Sequence, residues 1–166
     1  IIIRKNDTDM LRDETYQKLH HISTATLTTQ LLKRGFRNSF IAGLTPLRPD
    51  LKMIGRAFTL RYVPIREDLD KAVEYNNDSN IQRLAVEQIT EGDVLVIDAR
   101  SNVNAASFGH ILATRILVRG ASGLVTDGAL RDTMGIQKLD FPVYTRMPHA
   151  TTSVTVHHPV DMNVPI

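Results

Sequence analysis

The sequence has 166 residues, 42% of them hydrophobic and 23% charged, with 20 basic against 18 acidic side chains for a net charge of +2. That length and composition fit one globular domain, residues 1–166, able to bury a substantial core. The near-balanced charge shows no run of Lys or Arg and no aromatics interleaved with basic residues, which disfavours nucleic-acid binding, and the count of 0 Cys excludes disulfides, thiolate metal sites and cysteine nucleophiles. No apolar run approaches the length of a membrane span. The opening Ile1-Ile2-Ile3-Arg4-Lys5 is too short and wrongly ordered for a signal peptide, so a cytoplasmic protein is the default expectation.

In chain order, the stretch from about Asp9 to Ile22 carries a weak helical stripe of Leu11, Tyr16, Leu19 and Ile22. Ser23 is placed to cap a second helix with Leu27, Leu31 and Leu32, stopped by Gly35. Gly43, Pro46 and Pro49 suggest loop around a short extended piece, and Arg56 to Ile65 is rich in β-formers and reads as a strand. The cluster Asn76-Asn77-Asp78-Ser79 predicts a turn and helix cap, followed by an amphipathic helix with Ile81, Leu84, Ala85 and Ile89 on one face. Glu91-Gly92-Asp93 turns the chain into Val94-Leu95-Val96-Ile97-Asp98, a continuous apolar run expected of a central strand. Another helix is predicted with Phe108, Ile111, Leu112 and Ile116 on one side and Gly120 as its stop. Gly123 to Thr126 then reads as a buried strand, Asp140 to Thr145 as a strand entered through Pro142, and Thr151 to His157 as an extended segment. Helices alternating with strands, with crossovers near a dozen residues, point to an α/β fold with parallel pairing. The run Val160 to Ile166 is apolar without a closing helix, which suggests an unpaired end that continues further or docks on a neighbour.

Chemistry concentrates where the strand Gly123–Thr126 runs through Gly128 to Arg131-Asp132. Glycine permits a sharp turn, and the pair presents one permanent cation beside one hard carboxylate. Ligands favour the carboxyl ends of parallel strands, whereas an isolated Arg-Asp dipeptide is commonly a surface ion pair or a helix-start Asp. On residue types alone both readings stay open. His20-His21, His149 and His157-His158 show no zinc spacing, and adjacent histidines on a strand point to opposite faces, so a structural or solvent-facing role is expected for these five. His110 differs, because it follows Gly109 near a helix start, where it faces whatever the helix N-terminus binds. Ser107 lacks a nucleophile elbow, and Gly120-Ala121-Ser122-Gly123 leads into a strand rather than out of one, the wrong order for a phosphate cradle.

Taken together, Glu91-Gly92-Asp93 to Asp98, Gly109-x-Ile111-Leu112-Ala113-Thr114-Arg115, Arg119-Gly120-Ala121-x-Gly123, Thr126-Asp127-Gly128-Ala129-x-Arg131-Asp132 and Phe141-Pro142-Val143 resemble the RraA-like family. That family contains class II pyruvate aldolases acting on 4-hydroxy-4-methyl-2-oxoglutarate and 4-carboxy-4-hydroxy-2-oxoadipate, and also the regulator of ribonuclease activity A. The resemblance extends from about Ser23 onward. It implies a swivelling β/β/α sandwich that assembles as a homotrimer or dimer of trimers with sites between subunits, and a family chain that continues past Ile166, so that the C-terminal part is expected to be lacking here.

By the same resemblance, Asp132 ligates a divalent cation, Mg²⁺ or Mn²⁺, largely through waters, and Arg131 holds the pyruvyl group and its developing enolate oxygen. The backbone amides of Gly109, His110, Ile111 and Leu112 bind the substrate carboxylate. The aldolase signature is an Asp, twenty residues, then Arg-Asp; the first position of that spacing is His110, not Asp. A neutral imidazole is able to relay a proton near neutral pH. The expected activity is a retro-aldol cleavage of 4-hydroxy-2-oxo acids to pyruvate, with oxaloacetate decarboxylation through the same enolate as a side activity. The alternative expectation is a non-catalytic regulator that binds a ribonuclease or another protein.

Overall fold

The computed structural model describes residues 2–4, 13–70 and 79–166. Leu11 and the Asn76-Asn77-Asp78 part of the predicted turn lie outside the described residues. The architecture is α/β, built around strand β4 (Asp93–Asp98), which is central because its four consecutive apolar residues, Val94 to Ile97, supply apolar surface to both faces. It is flanked in parallel by β3 (Gly55–Pro64) and β6 (Gly123–Thr126), and β6 pairs in parallel with β8 (Val143–Thr145). The short β2 (Thr45–Pro46) closes that side antiparallel to β8. On the far side one edge of β3 serves two partners, β1 (Ile2–Arg4) in parallel and β10 (His157–Met162) antiparallel.

Helices α3 (Ile81–Gln88) and α4 (His110–Val118) cover one face of this sheet. Their Ala85, Val86, Ala113 and Ile116 pack with Phe58, Leu60, Tyr62, Leu95, Ile97 and Leu124 in the main core. The opposite face holds a smaller cluster of Met53, Val94 and Val125, bordered by Leu44, Val96 and Tyr144. Before β3 come α1 (Asp13–His21) and α2 (Thr24–Lys33). Ser23 caps α2 as expected, accepting from Thr26 N at 3.1 Å, yet no residue of α2 is buried: Leu27 and Leu31 are half-buried and Leu32 is exposed. Among the described residues no helix is long and apolar enough to cross a membrane.

A second, smaller parallel sheet stands at the end of the large one: β5 (Ala106–Phe108), β7 (Ala129–Leu130) and β9 (Met147–Pro148). The one-turn helix α5 (Thr133–Ile136) follows β7. This sheet corrects several expectations. Phe108 belongs to β5 rather than to the helix, and Ile111 is on the open side of α4, because the apolar spacing runs on across a strand-to-helix junction at Gly109. Asn80, one residue past the predicted cluster, caps α3 by accepting from Arg83 N at 3.2 Å. Residues Ser153–Thr155 form a 3₁₀ turn and the strand begins only at His157. The closing apolar run is not unpaired: β10 lies on β3, and beyond it Thr59 Oγ1 donates to Val164 O at 2.5 Å while Arg61 donates to Pro165 O.

Candidate functional site

Three parallel strand ends assemble the site. The residues that follow β5, β7 and β9 are Gly109-His110, Arg131-Asp132 and His149. Backbone pairing continues past the strands, with Arg131 N donating to Phe108 O at 3.1 Å and His149 N donating to Leu130 O at 2.9 Å.

Gly109 is the N-cap of α4, in an extended conformation (φ −142°, ψ 176°) and without a side chain to cap the helix. The N–H groups of His110, Ile111 and Leu112 therefore have no acceptor inside the helix. That of His110 points to Asp132 Oδ2 at a long 3.5 Å. Glycine is needed here for space: a β-carbon at Gly109 would lie 2.6 Å from Arg131 Nε, 2.9 Å from Arg131 Cγ and 3.2 Å from Asp132 Oδ2. The Arg131 side chain thus lies across Gly109, and the Asp132 carboxylate borders the same point. The predicted role of Gly128 needs revision. Its φ is not left-handed, and what it meets is a close approach, since a β-carbon there would be 2.6 Å from Ala99 Cβ. The left-handed residue of the turn is Asp132 itself (φ 57°), a conformation Asp tolerates better than most side chains.

Arg131 Nε and Asp132 Oδ2 are 3.6 Å apart, with the two side chains 40% and 53% exposed. Long contacts and partial exposure leave both charges open to a ligand. Among the described residues no group of three or more His, Cys, Asp and Glu forms a metal cage. A lone hard carboxylate fits a cation that keeps most of its waters and takes further oxygens from its substrate, the habit of Mg²⁺, and does not fit zinc. The His110 backbone belongs to the site, whereas its ring rests on α5, where a β-carbon at Gly135 would meet His110 Cδ2 and Cγ at 3.1 Å.

Other motif residues are structural. Asp127 accepts from Ala99 N and Ser101 N, both at 2.6 Å, and so ties down the loop after β4, in which Arg100 and Ser101 are left-handed (φ 57° and 56°). Arg115 makes a bidentate pair with Glu87 of α3 at 2.9 and 2.7 Å and holds that carboxyl below the usual range. Both groups face solvent, so the pair orients α4 on α3 more than it stabilises it. Residue types alone did not single out His149, whose place beside Leu130 follows only from strand pairing; its Nδ1 accepts from Thr151 N at 3.1 Å.

The adjacent histidines divide between faces as expected. His158 Nδ1 pairs with Asp70 Oδ1 at 2.7 Å, and His157 is buried, with Nε2 3.3 Å from Ala105 O and its ring 5.3 Å from that of Tyr62. Burial pushes the His157 imidazole below its ordinary value, and the Arg100 charge acts in the same direction, against the Ala105 carbonyl and the Asp127 charge. The unfolded chain therefore takes up this proton before the folded one does. Stability is expected to hold above the ordinary imidazole pKa of about 6.5 and to fall as pH drops below it. Melting temperature against pH checks this: His157→Asn should flatten the decline, and an unchanged slope would remove His157 as its cause.

Comparison with known proteins places this geometry in context. A family model described as RraA-like, Aldolase/RraA, matches residues 24–166. The chain is 27% identical over 128 residues to protein DlpA of Legionella pneumophila, covering 77% of this chain and 20% of that protein. It is 32% identical over 77 residues to a Halalkalibacterium halodurans protein provisionally named as a 4-hydroxy-4-methyl-2-oxoglutarate aldolase, covering 46% of this chain and 37% of that one. The chain thus spans well under two thirds of the length of either curated relative. Among solved structures, Streptomyces coelicolor RraAS2, described as an unusual member of the RNase ES inhibitor RraA protein family, superposes with a TM-score of 0.79 at 27% identity, covering 95% of this chain and 75% of that one.

Proposed function

The chain belongs to the RraA-like family, and from that premise we propose that it is a divalent-metal-dependent lyase cleaving 4-hydroxy-2-oxo acids to pyruvate, with oxaloacetate decarboxylation as a side activity. The family has both aldolase-type and ribonuclease-inhibitor members. The observation that carries the enzymatic reading is the convergence on Gly109: the Arg131 guanidinium, the Asp132 carboxylate and the amides at the start of α4, which have no acceptor inside the helix, meet where only a glycine leaves room.

In this reading the amides of His110, Ile111 and Leu112 receive the substrate carboxylate at a helix N-terminus. Arg131 presents its charge to the C2 oxygen, where the electron pair of the breaking C3–C4 bond accumulates. Asp132 would hold Mg²⁺ or Mn²⁺, which when bound polarises the 2-oxo group as a Lewis acid. The 4-hydroxyl must lose its proton as the bond breaks. We assign that relay to His110, acting through water because its ring rests on Gly135. A homotrimer or dimer of trimers is part of the proposal. It is supported by large apolar side chains left open on the two helices that follow the site strands, Ile111 (76% exposed) and Val118 (73%) on one side of α4 and Met134 (72%) on α5.

One observation favours the second reading, a regulator that binds a ribonuclease: His110 stands where the aldolase signature has Asp. Pyruvate release from oxaloacetate separates the two. Turnover is expected with Mg²⁺ or Mn²⁺, and it should vanish on chelation and in Asp132→Asn. A rate that is independent of metal would overturn the metal-dependent mechanism, and no turnover alongside capture of a ribonuclease that Asp132→Ala does not disturb would decide for the regulator.

A further inference from the structure

Ser107 has no part in the chemistry above, yet it sits at an irregular point in the frame that carries it. Its neighbours Ala106 and Phe108 pair with Ala129 and Leu130, which are consecutive in β7, so Ser107 is the extra residue of a β-bulge. The hydroxyl ties the bulge to the neighbouring strand, with Ser107 Oγ donating to Ala129 O at 3.0 Å. A hydroxyl has one proton, which fixes the direction of its other contact. Thr126 Oγ1, 2.9 Å away, donates to Ser107 Oγ and itself accepts from Gly128 N at 3.1 Å. The Ser107 carbonyl accepts from Tyr62 OH at 2.9 Å and from Gln82 Nε2 at 3.0 Å. The bulge is therefore clamped from β7, β6, β3 and α3, and Ser107 and Thr126 are fully buried.

The bulge decides which residue of β5 faces Arg131. With it, Phe108 lies beside Leu130 and the open Gly109 falls beside Arg131. Without it, an even register from Ala106 would set Phe108 beside Arg131, where a phenyl side chain would take the place the guanidinium needs. We infer that Ser107 is a positioning residue for the Arg131-Asp132 site, holding the bulge that aligns Gly109 with Arg131. Its consequence for catalysis rests on the lyase reading; its consequence for backbone register does not.

The test compares Ser107→Ala with Ile97→Val, a core truncation in β4 that lowers the melting temperature and removes none of the hydrogen bonds that hold the bulge, in the full chain. Three quantities are read: amide hydrogen exchange at Arg131 N, affinity for oxalate (a planar mimic of the pyruvate enolate) with Mg²⁺, and kcat and KM on oxaloacetate. Ser107→Ala is expected to speed Arg131 exchange by about tenfold through easier local opening. It should also weaken oxalate by a similar factor and lower kcat more than it raises KM, while Ile97→Val leaves exchange at Arg131 and oxalate affinity as in the parent. Ser107→Thr, which keeps the hydroxyl, should recover most of the loss. If Ser107→Ala does not fold, Ser107→Cys, with a weaker donor in the same space, is read the same way. Wild-type exchange and affinity in Ser107→Ala (or in Ser107→Cys where that variant replaces it), or equal losses in Ile97→Val, overturn the inference. A wild-type protein that neither binds oxalate nor releases pyruvate overturns the lyase reading instead, and exchange at Arg131 still decides for or against Ser107.

Discussion

Arg131→Ala is expected to lower kcat/KM for metal-dependent pyruvate release by about 100- to 1000-fold, the usual cost of removing a fixed donor from a developing oxyanion. The side chain is fixed by its packing over Gly109, and its contact with Asp132 is too long to neutralise it. The fold should not suffer. Arg131 is partly exposed, its backbone N–H bond to Phe108 O survives the substitution, and an exposed pair at this distance adds little stability. Arg131→Lys should recover only a small part of the rate, because an ammonium cannot reproduce the planar fork. Steady-state kinetics beside a thermal melt check this. A folded variant that keeps wild-type turnover would take Arg131 out of the mechanism.

Gly109→Ala tests the same geometry from below and adds no charge change. The new methyl would meet Arg131 Nε at 2.6 Å and Cγ at 2.9 Å, closer than such atoms approach, so the guanidinium must move. The backbone has no reason to move, because φ of −142° suits alanine as well as glycine. A displacement of about 1 Å in a catalytic group commonly costs on the order of 100-fold in rate, and a loss of that size is the expected result. The melting temperature should change by no more than a few degrees. Oxalate binding should weaken in parallel with kcat, since the methyl also crowds Asp132 Oδ2. Unaltered kinetics would mean that the substrate does not use the space over Gly109.

Much of the frame was legible because its signals are local. The continuous apolar run at Val94–Ile97 and the cap at Ser23 act through neighbouring residues, and both elements appear where expected. The Arg131-Asp132 pair stands out in the sequence for the same reason, as a polar doublet after an apolar segment, but the strand that leads into it is the short β7 and not the expected Gly123–Thr126. The errors fall where a feature depends on distant pairing. Phe108 continues the apolar spacing of α4, and its pairing with Leu130 across β5 and β7 is what makes it a strand residue. Val160 to Met162 read as a loose apolar end because its partner, β3, lies far back in the chain. His149 and Ser107 carry no marker in their immediate surroundings. One acquires its place from the order β5-β7-β9 and the other from a bulge, and neither can be counted out along the chain.

The shared edge of β3 also bears on how the chain reaches this fold. Contacts such as that from Thr59 to Val164 join positions 105 residues apart, so a large loop must close before they contribute. Until β10 docks, the outer edge of Leu60–Pro64 stays an open template able to recruit a strand from another molecule. Refolding should accordingly be slow and concentration-sensitive at this edge. Supplying the His157–Met162 segment as a separate peptide during refolding should compete with β10 for β3 and divert chains from the native state.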